Sequence, residues 1–238
     1  MSKVLPILFN GDMVRAILDG RKTVTRRLIK PQPKFRLCYT FAGGNHGTWS
    51  YPNDTAHEFW GEEYRLPDCV TDEDKKMVWK PPCHADDILY VRETWQYLYE
   101  LYGNEQIIED IGKYYYAATD TLPFDTYIDS MGVSHERVPW HPSIHMPKEA
   151  ARIWLKVKDV RVERLREIDE EQARKEGCQG TFVGDGSCMG SGWDVSPVDE
   201  FSKIWNSTIK KSDIDCYGWD ANPWVWVIEF ERCEKPED

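Results

Sequence analysis

The chain has 238 residues, 41% of them apolar and 30% charged, and its 30 Lys and Arg against 41 Asp and Glu leave a formal net charge of -11. That length provides one large or two small domains with a substantial core, and the acidity disfavours a polyanion-binding surface spread over the whole molecule. No run of about 18 apolar residues reads as a membrane span, the apolar part of Met1–Pro6 is too short for a signal peptide, and seven cysteines without a Cys-x-x-Cys pair argue against a disulfide framework or a zinc ribbon, so a cytoplasmic protein with reduced thiols, no metal and no cofactor is expected.

In chain order, Val4-Leu5-Pro6-Ile7-Leu8-Phe9 is apolar and β-prone, and Pro6 predicts an edge position or a strand start. Asn10 is placed to cap a helix with Met13, Val14, Ile17 and Leu18 on one face, and Gly20 to end it in the left-handed conformation. The helix leads into Gly20-Arg21-Lys22-Thr23-Val24-Thr25-Arg26-Arg27-Leu28. Between Gly20 and Asn53 there are seven basic residues, completed by Lys30, Lys34 and Arg36, and no Asp or Glu. A local patch of that kind attracts phosphate within a Debye length of roughly 8 Å even on an acidic protein; the plainer reading is a solvated basic turn. Lys22 and Thr25 stand three residues apart, close enough in a turn for an amine to act on a hydroxyl as a base.

Residues 31–82 show little periodicity and an acidic second half, and read as an insertion. Phe35, Tyr39, Phe41, Trp49, Tyr51, Phe59, Trp60 and Tyr64 require burial there, which predicts a structured flap over Lys22 rather than a linker. Asp86-Asp87 predicts a turn before a strand in which Leu89, Val91 and Glu93 face one way and Ile88, Tyr90 and Arg92 the other. Arg92 is a candidate for a phosphate contact or for a structural ion pair, the latter favoured. A second insertion, 97–145, contains the β-prone Tyr114–Ala118. His141 and His145 have i, i+4 spacing, but the flanking prolines speak against a helix that would make them metal ligands. Ile153, Leu155 and Val157, then Val160 and Val162, alternate with a phase change at Asp159 that suggests a bulge or turn. Asp169 caps a short helix with Gln172 at the capping-box position, Glu176 at its end and Gly177 as terminator. The Gly-rich 178–195 lacks a Gly-Lys-Ser/Thr and reads as a mobile loop rather than a P-loop. Ser196-Pro197 opens a helix with Val198, Phe201 and Trp205 on one stripe, and Trp224–Phe230 is a nearly continuous apolar strand, placed to close a barrel beside the N-terminal strand.

Four of these stretches together resemble the ASCH (activating signal cointegrator homology) family, and specifically its longer bacteriophage and prophage members. They are Gly-Arg-Lys-Thr-x-Thr-Arg-Arg-Leu-Ile-Lys-Pro-Gln-Pro, Val-Arg-Glu-x-Trp at 91–95, Pro-Ser-Ile-His-Met-Pro at 142–147 and Ile-x-x-x-x-Ala-x-x-Glu-Gly at 168–177. The Asn-Pro-Trp-Val-Trp ending is similar too, and Asp86 departs from the family by standing where it carries a Gly-Asp glycine. The resemblance implies an α+β fold, a PUA-like β-barrel of mixed strands with short helices, as one domain over 1–238 with the two insertions and the Gly-rich loop. It also implies a nucleoside- or RNA-binding pocket. Small members that hydrolyse the amide of N4-acetylcytidine match at Lys22 as general base, Thr25 as nucleophile and Glu176 as helper, with a loop amide or Arg26 for the oxyanion. The chemistry is sound, since a hydroxyl attacks only after a base takes its proton and a buried Lys can serve. A competing implication is an RNA-binding or RNA-cleaving module contacting phosphate and base through Arg21, Lys22, Arg26, Arg27, Arg92 and Glu93, with aromatic residues stacking on unpaired bases. A third is a non-catalytic phage protein that keeps the fold.

Overall fold

The computed structural model describes residues 2–40, 47–101, 107–123, 127–128, 134–135, 139–183 and 192–237. In chain order the elements are β1 (Val4–Leu8), α1 (Gly11–Leu18), β2 (Val24–Leu28), β3 (Cys38–Thr40), β4 (Thr48–Ser50), α2 (Ala56–Trp60), β5 (Val78–Trp79), β6 (Ile88–Arg92), β7 (Trp95–Leu101), β8 (Ile107–Tyr116), β9 (Tyr127–Ile128), β10 (Ser134–His135), β11 (Trp154–Arg164), α3 (Glu170–Lys175), β12 (Thr181–Val183), β13 (Gly192–Val195), α4 (Pro197–Thr208), α5 (Ile214–Tyr217) and β14 (Trp224–Cys233). The fold is α+β, with several sheets and few helices. Among the described residues the strands close no barrel, and no helix is long and apolar enough to cross a membrane. The chain divides into two compact units, Met1–Lys22 with Asp87–Lys156 and Glu231–Asp238, and Thr23–Asp86 with Val157–Phe230.

In the first unit β1 runs parallel to β6, from Val4 opposite Ile88 to Leu8 opposite Arg92, and β6 runs antiparallel to the start of β11. Pro6 is tolerated because β1 is an outermost strand of its ladder. Alternation along β6 comes out as read: Leu89, Val91 and Glu93 are buried and Ile88, Tyr90 and Arg92 half-buried. Asp86, ahead of it, adopts φ 68, the left-handed region that a glycine takes without cost, and Asp87 is buried and accepts the Lys3 N–H at 2.8 Å. Helix α1 starts where Asn10 Oδ1 accepts the Met13 N–H and buries Val14, Ala16 and Ile17. Gly20 ends it at φ 75, with the Gly20 N–H donating to Ile17 O and those of Arg21 and Lys22 to Ala16 O. The hairpin β7–β8 sets Trp95 opposite Tyr116 and Tyr97 opposite Tyr114, and Met146, Ala150, Ala151 and Trp154 form a core against Trp95, Tyr114 and Tyr116.

The second unit is built on β14, antiparallel to β2 with Ile228 opposite Thr25 and Val227 opposite Arg26, and hydrogen-bonded on its other edge to β11. The expected pairing of the C-terminal strand with the N-terminal one is therefore replaced: β14 takes β2 and β11, and β1 takes β6. Thr25 likewise lies in a strand and not in a turn, because Thr23-Val24-Thr25 is a β-branched run with an open edge of β14 to pair with. No turn interrupts β11 at Asp159; the phase change is an exposed pair, Lys158 and Asp159, within one strand. Val24, Val225 and Val227 join Leu165, Ile168, Ala173, Phe201 and Trp205 in the core, each large aliphatic side chain contributing about 1.5–3 kcal/mol. Helices α3 and α4 begin as read, with Asp169 accepting the Gln172 N–H and Ser196 that of Asp199.

The stretch 31–82 is folded where described, as the antiparallel β3–β4–β5 sheet. Tyr51 packs edge-on against Trp79 at 5.1 Å, Trp79 Nε1 donates to Pro31 O, and the Tyr51 hydroxyl accepts the Lys34 N–H. Phe59 and Trp60 correct the expected burial: they are 79% and 57% exposed. Helix α2 has only five residues, its buried member is Ala56, and two adjacent aromatics cannot share one inward face. Phe41 and the middle of the Gly-rich loop lie outside the described residues; the loop's flanks pair as β12–β13.

Two outcomes test this local physics. Gly20→Ala meets no atom within 4 Å, so its whole effect is left-handed backbone strain, a loss of about 1–2 kcal/mol in urea unfolding. The Lys34 ammonium, then the Thr71 donors, hold the Asp74 carboxyl at about 2. The folded value is depressed, so this contribution to stability is complete above the ordinary carboxylate range and is lost as pH falls towards 2; a carboxyl NMR titration should place Asp74 last among the aspartates to protonate.

Candidate functional site

The seven cations of the 20–53 stretch are largely committed to partners. Arg21 pairs with Asp19 at 2.8 Å and Lys34 with Asp74 at 2.7 Å. Lys30 sits 4.8 Å from the Tyr217 ring centroid, and Arg36 4.9 Å from that of Tyr64. Lys22, Arg26 and Thr25 are buried, at 2%, 3% and 1% exposure, and Arg27 is half-buried. A solvated basic turn is therefore not what this sequence makes.

In the second unit the centre is Arg26. β2 is covered on both faces, since Val24, Thr25 and Arg26 are buried in succession. Arg26 Nη1 donates to Glu176 Oε1 at 3.3 Å, and Nη2 donates to Glu163 Oε2 at 3.1 Å and to Gln172 Oε1. The Phe201 ring centroid lies 5.9 Å from its guanidinium carbon. Glu176 reaches this place because the Thr23 N–H donates to Lys175 O at 2.8 Å, which fastens the end of α3 to the start of β2. It is the residue following α3, 8% exposed, followed by Gly177 at φ 104. A carboxylate at a helix C-terminus opposes the helix dipole, and the Arg26 guanidinium offsets that repulsion. Burial pushes the Arg27 guanidinium below its ordinary value, with the Glu176 charge opposing the shift.

In the first unit Lys22 follows the Gly20 turn, its Nζ 5.7 Å from the Phe9 ring centroid. Arg92 and Glu93 do not pair with each other. Arg92 Nε donates to Met146 O at 2.6 Å, whereas Glu93, 1% exposed, accepts Nε and Nη2 of Arg152, both at 2.9 Å. Arg152 stacks 3.9 Å from the Tyr116 ring centroid and donates to Thr119. The ion pair favoured for Arg92 is not formed: its Nε is taken by the Met146 carbonyl, and the ion pair of this strand is Glu93 with Arg152. The His141 ring stacks on Trp95 at 5.0 Å, and among the described residues no group of three or more His, Cys, Asp or Glu is arranged to hold a metal.

Three residues escaped the sequence reading. Gln172, assigned to a capping box, turns its side-chain oxygen to Arg26; Glu163 bridges Arg26 and Arg161; and Arg152 neutralises Glu93. The one available signal was the Arg161, Glu163 alternation, which puts both on the same face of β11. Comparison with protein-family models, with curated proteins and with solved structures gives no match.

Removing Arg152 leaves Glu93 buried and unpaired, so Arg152→Ala should cost about 3–5 kcal/mol in chemical denaturation. Adding Glu93→Gln should recover part of that loss, and an equal loss in the double variant would refute the pairing account.

Proposed function

We propose that this chain is an ASCH-like, PUA-like protein that hydrolyses the amide of an N4-acylated cytidine. Thr25 is the nucleophile, Lys22 the general base and Glu176 the assisting carboxylate. The observation that carries this reading is burial: Lys22, Thr25 and Glu176 are 2%, 1% and 8% exposed. Each plain alternative, a surface charge, a turn hydroxyl or a helix-end carboxylate, predicts exposure. Withdrawing an ionisable side chain from water costs several kcal/mol unless specific partners offset it. Sequence resemblance supplies the assignment of roles, and the same resemblance supplies the PUA-like barrel as the scheme to which these strands belong.

Thr25 adds through its hydroxyl oxygen to the acyl carbon, its proton passes to Lys22, and collapse of the tetrahedral oxyanion expels the cytosine N4 amine, which takes up a proton. Water then cleaves the acyl-threonine ester and releases the carboxylic acid. Both Nη atoms of Arg26 are engaged with Glu163, Gln172 and Glu176, so Arg26 positions Glu176, and the oxyanion is left to the Arg26 Nε–H, which has no hydrogen-bond partner among the described residues, or to a main-chain amide. The RNA-module alternative is less well supported, because Arg21 and Lys34 are paired with carboxylates and Lys22 and Arg26 are buried.

Hydrolysis of N4-acetylcytidine followed by chromatography tests the proposal. Lys22→Ala should lower kcat by about 10²–10⁴, the usual value of a general base. Thr25→Ala should abolish turnover, with Thr25→Ser retaining a part. Full activity in Thr25→Ala, or an inactive wild type, would sink the reading.

A further inference from the structure

The second unit also contains a cleft of about 320 Å³ between the β3–β4 ladder and the middle of β11, lined by Tyr39, Trp49, Cys83, His84, Asp159 and Arg161 among others. Its volume lies at the lower end of the roughly 300–1,000 Å³ found for small-molecule sites, room for one small ring system and not for a polymer. One wall is aromatic and fixed. Trp49 is held edge-on between Tyr39 at 5.5 Å and Trp226 at 5.9 Å, with interplanar angles of 71° and 66°. Tyr39 is 39% exposed, so part of it remains open to a ligand. His84 Nε2–H donates to Gly47 O at 2.8 Å, which fixes the imidazole beside them. A wall already ordered in this way lowers the entropy cost of stacking a ring against it.

The opposite wall is polar and paired. Arg161 gives Nε to Glu163 and Nη1 to Asp159 at 3.3 Å and Glu229 at 3.5 Å, while Nη2 has no hydrogen-bond acceptor among the described residues. The Asp159 side chain is 55% exposed. A donor, Arg161 Nη2, thus stands beside an acceptor, the Asp159 carboxylate, along a rigid aromatic wall. Nucleobase edges carry the same alternation of acceptor and donor. Three carboxylates around one guanidinium leave the wall net negative, which disfavours phosphate. An organic cation, the other ligand that an aromatic pair with a carboxylate attracts, has no acceptor for the Arg161 Nη2 donor and meets a like charge there.

We propose that this cleft binds a nucleobase, presented as a nucleoside without phosphate, with its ring stacked on Tyr39, the nearly perpendicular Trp49 bordering it, and its edge hydrogen-bonded to Asp159 and Arg161. The site is separate from the assignment of Thr25 as nucleophile and stands or falls by itself.

Isothermal titration calorimetry of the full chain with adenosine, which carries no acyl group, tests it without any turnover. Saturable binding is expected, weakened about 5- to 150-fold in Tyr39→Ala by loss of one base–aromatic stack, and about tenfold in Asp159→Asn. Adenosine monophosphate should bind several-fold more weakly than adenosine. No binding of adenosine, binding undiminished in both variants, or tighter binding of adenosine monophosphate or tetramethylammonium would overturn the proposal. Inactivity towards N4-acetylcytidine would leave it intact, because the calorimetric readout needs no hydrolysis.

Discussion

The second unit depends on the side chain of Arg26, which is fully buried and carries a charge that cannot be given up. Its desolvation would cost several kcal/mol if it were left alone. The offset comes from three elements at once: Glu163 on β11, Gln172 and Glu176 from α3 and its end, and the Phe201 ring on α4. One guanidinium therefore fixes where a strand, a short helix and a longer helix meet β2. The backbone repeats the constraint, since Thr23 donates to Lys175 and accepts from Phe230, so α3 and β14 are tied to the same residue at the start of β2. A helix of six residues is marginal by itself. Here it is ordered by what its end must neutralise.

The same logic explains how an acidic protein carries an acid-free basic stretch. A cation is drawn inward or onto an aromatic face when the chain supplies carboxylates from elsewhere, and with 41 Asp and Glu against 30 Lys and Arg there is no shortage. Arg21, Arg26 and Lys34 each find an acid, and Lys30 and Arg36 each find a ring. Local density of charge in the sequence is therefore a poor guide to local potential on the surface. What the density marks in this chain is a place where strands, helices and the inserted sheet are joined by charge.

How much was legible follows from the range of the interactions. Asn10, Gly20, Asp169, Gly177 and Ser196 act within a turn or two, and each cap or terminator lies where the sequence puts it. The alternation along β6 was equally local. Strand pairing was not, because nothing within Trp224–Phe230 distinguishes β1 from β2 as a partner; the apolar run reads the same for either. Partners separated by 59 or 146 residues, Arg152 for Glu93 and Gln172 for Arg26, have no signature until the fold brings them together. Thr25 shows the competition plainly. Its spacing from a lysine suggested a turn, and β-branching together with the free edge of β14 made it a strand residue.

Glu163 joins these observations into one electrostatic unit. Its Oε2 accepts from buried Arg26, and its Oε1 from Arg161 on the wall of the Tyr39–Trp49 cleft. A carboxylate shared between two guanidiniums cannot strengthen one contact without some cost to the other, because both compete for the same charge and the same orientation of one side chain. Arg161 is further divided among Asp159 and Glu229, so its position reports on all three acids. Arg161 and Asp159 are thereby linked to Arg26 and Glu176 through a single carboxylate, that of Glu163. The path is short, two ion pairs and one shared residue, buried at Arg26 and open to solvent screening at Arg161 and Asp159, whose side chains are 30% and 55% exposed. The cleft and the Glu176 carboxylate are thus parts of a single charge balance.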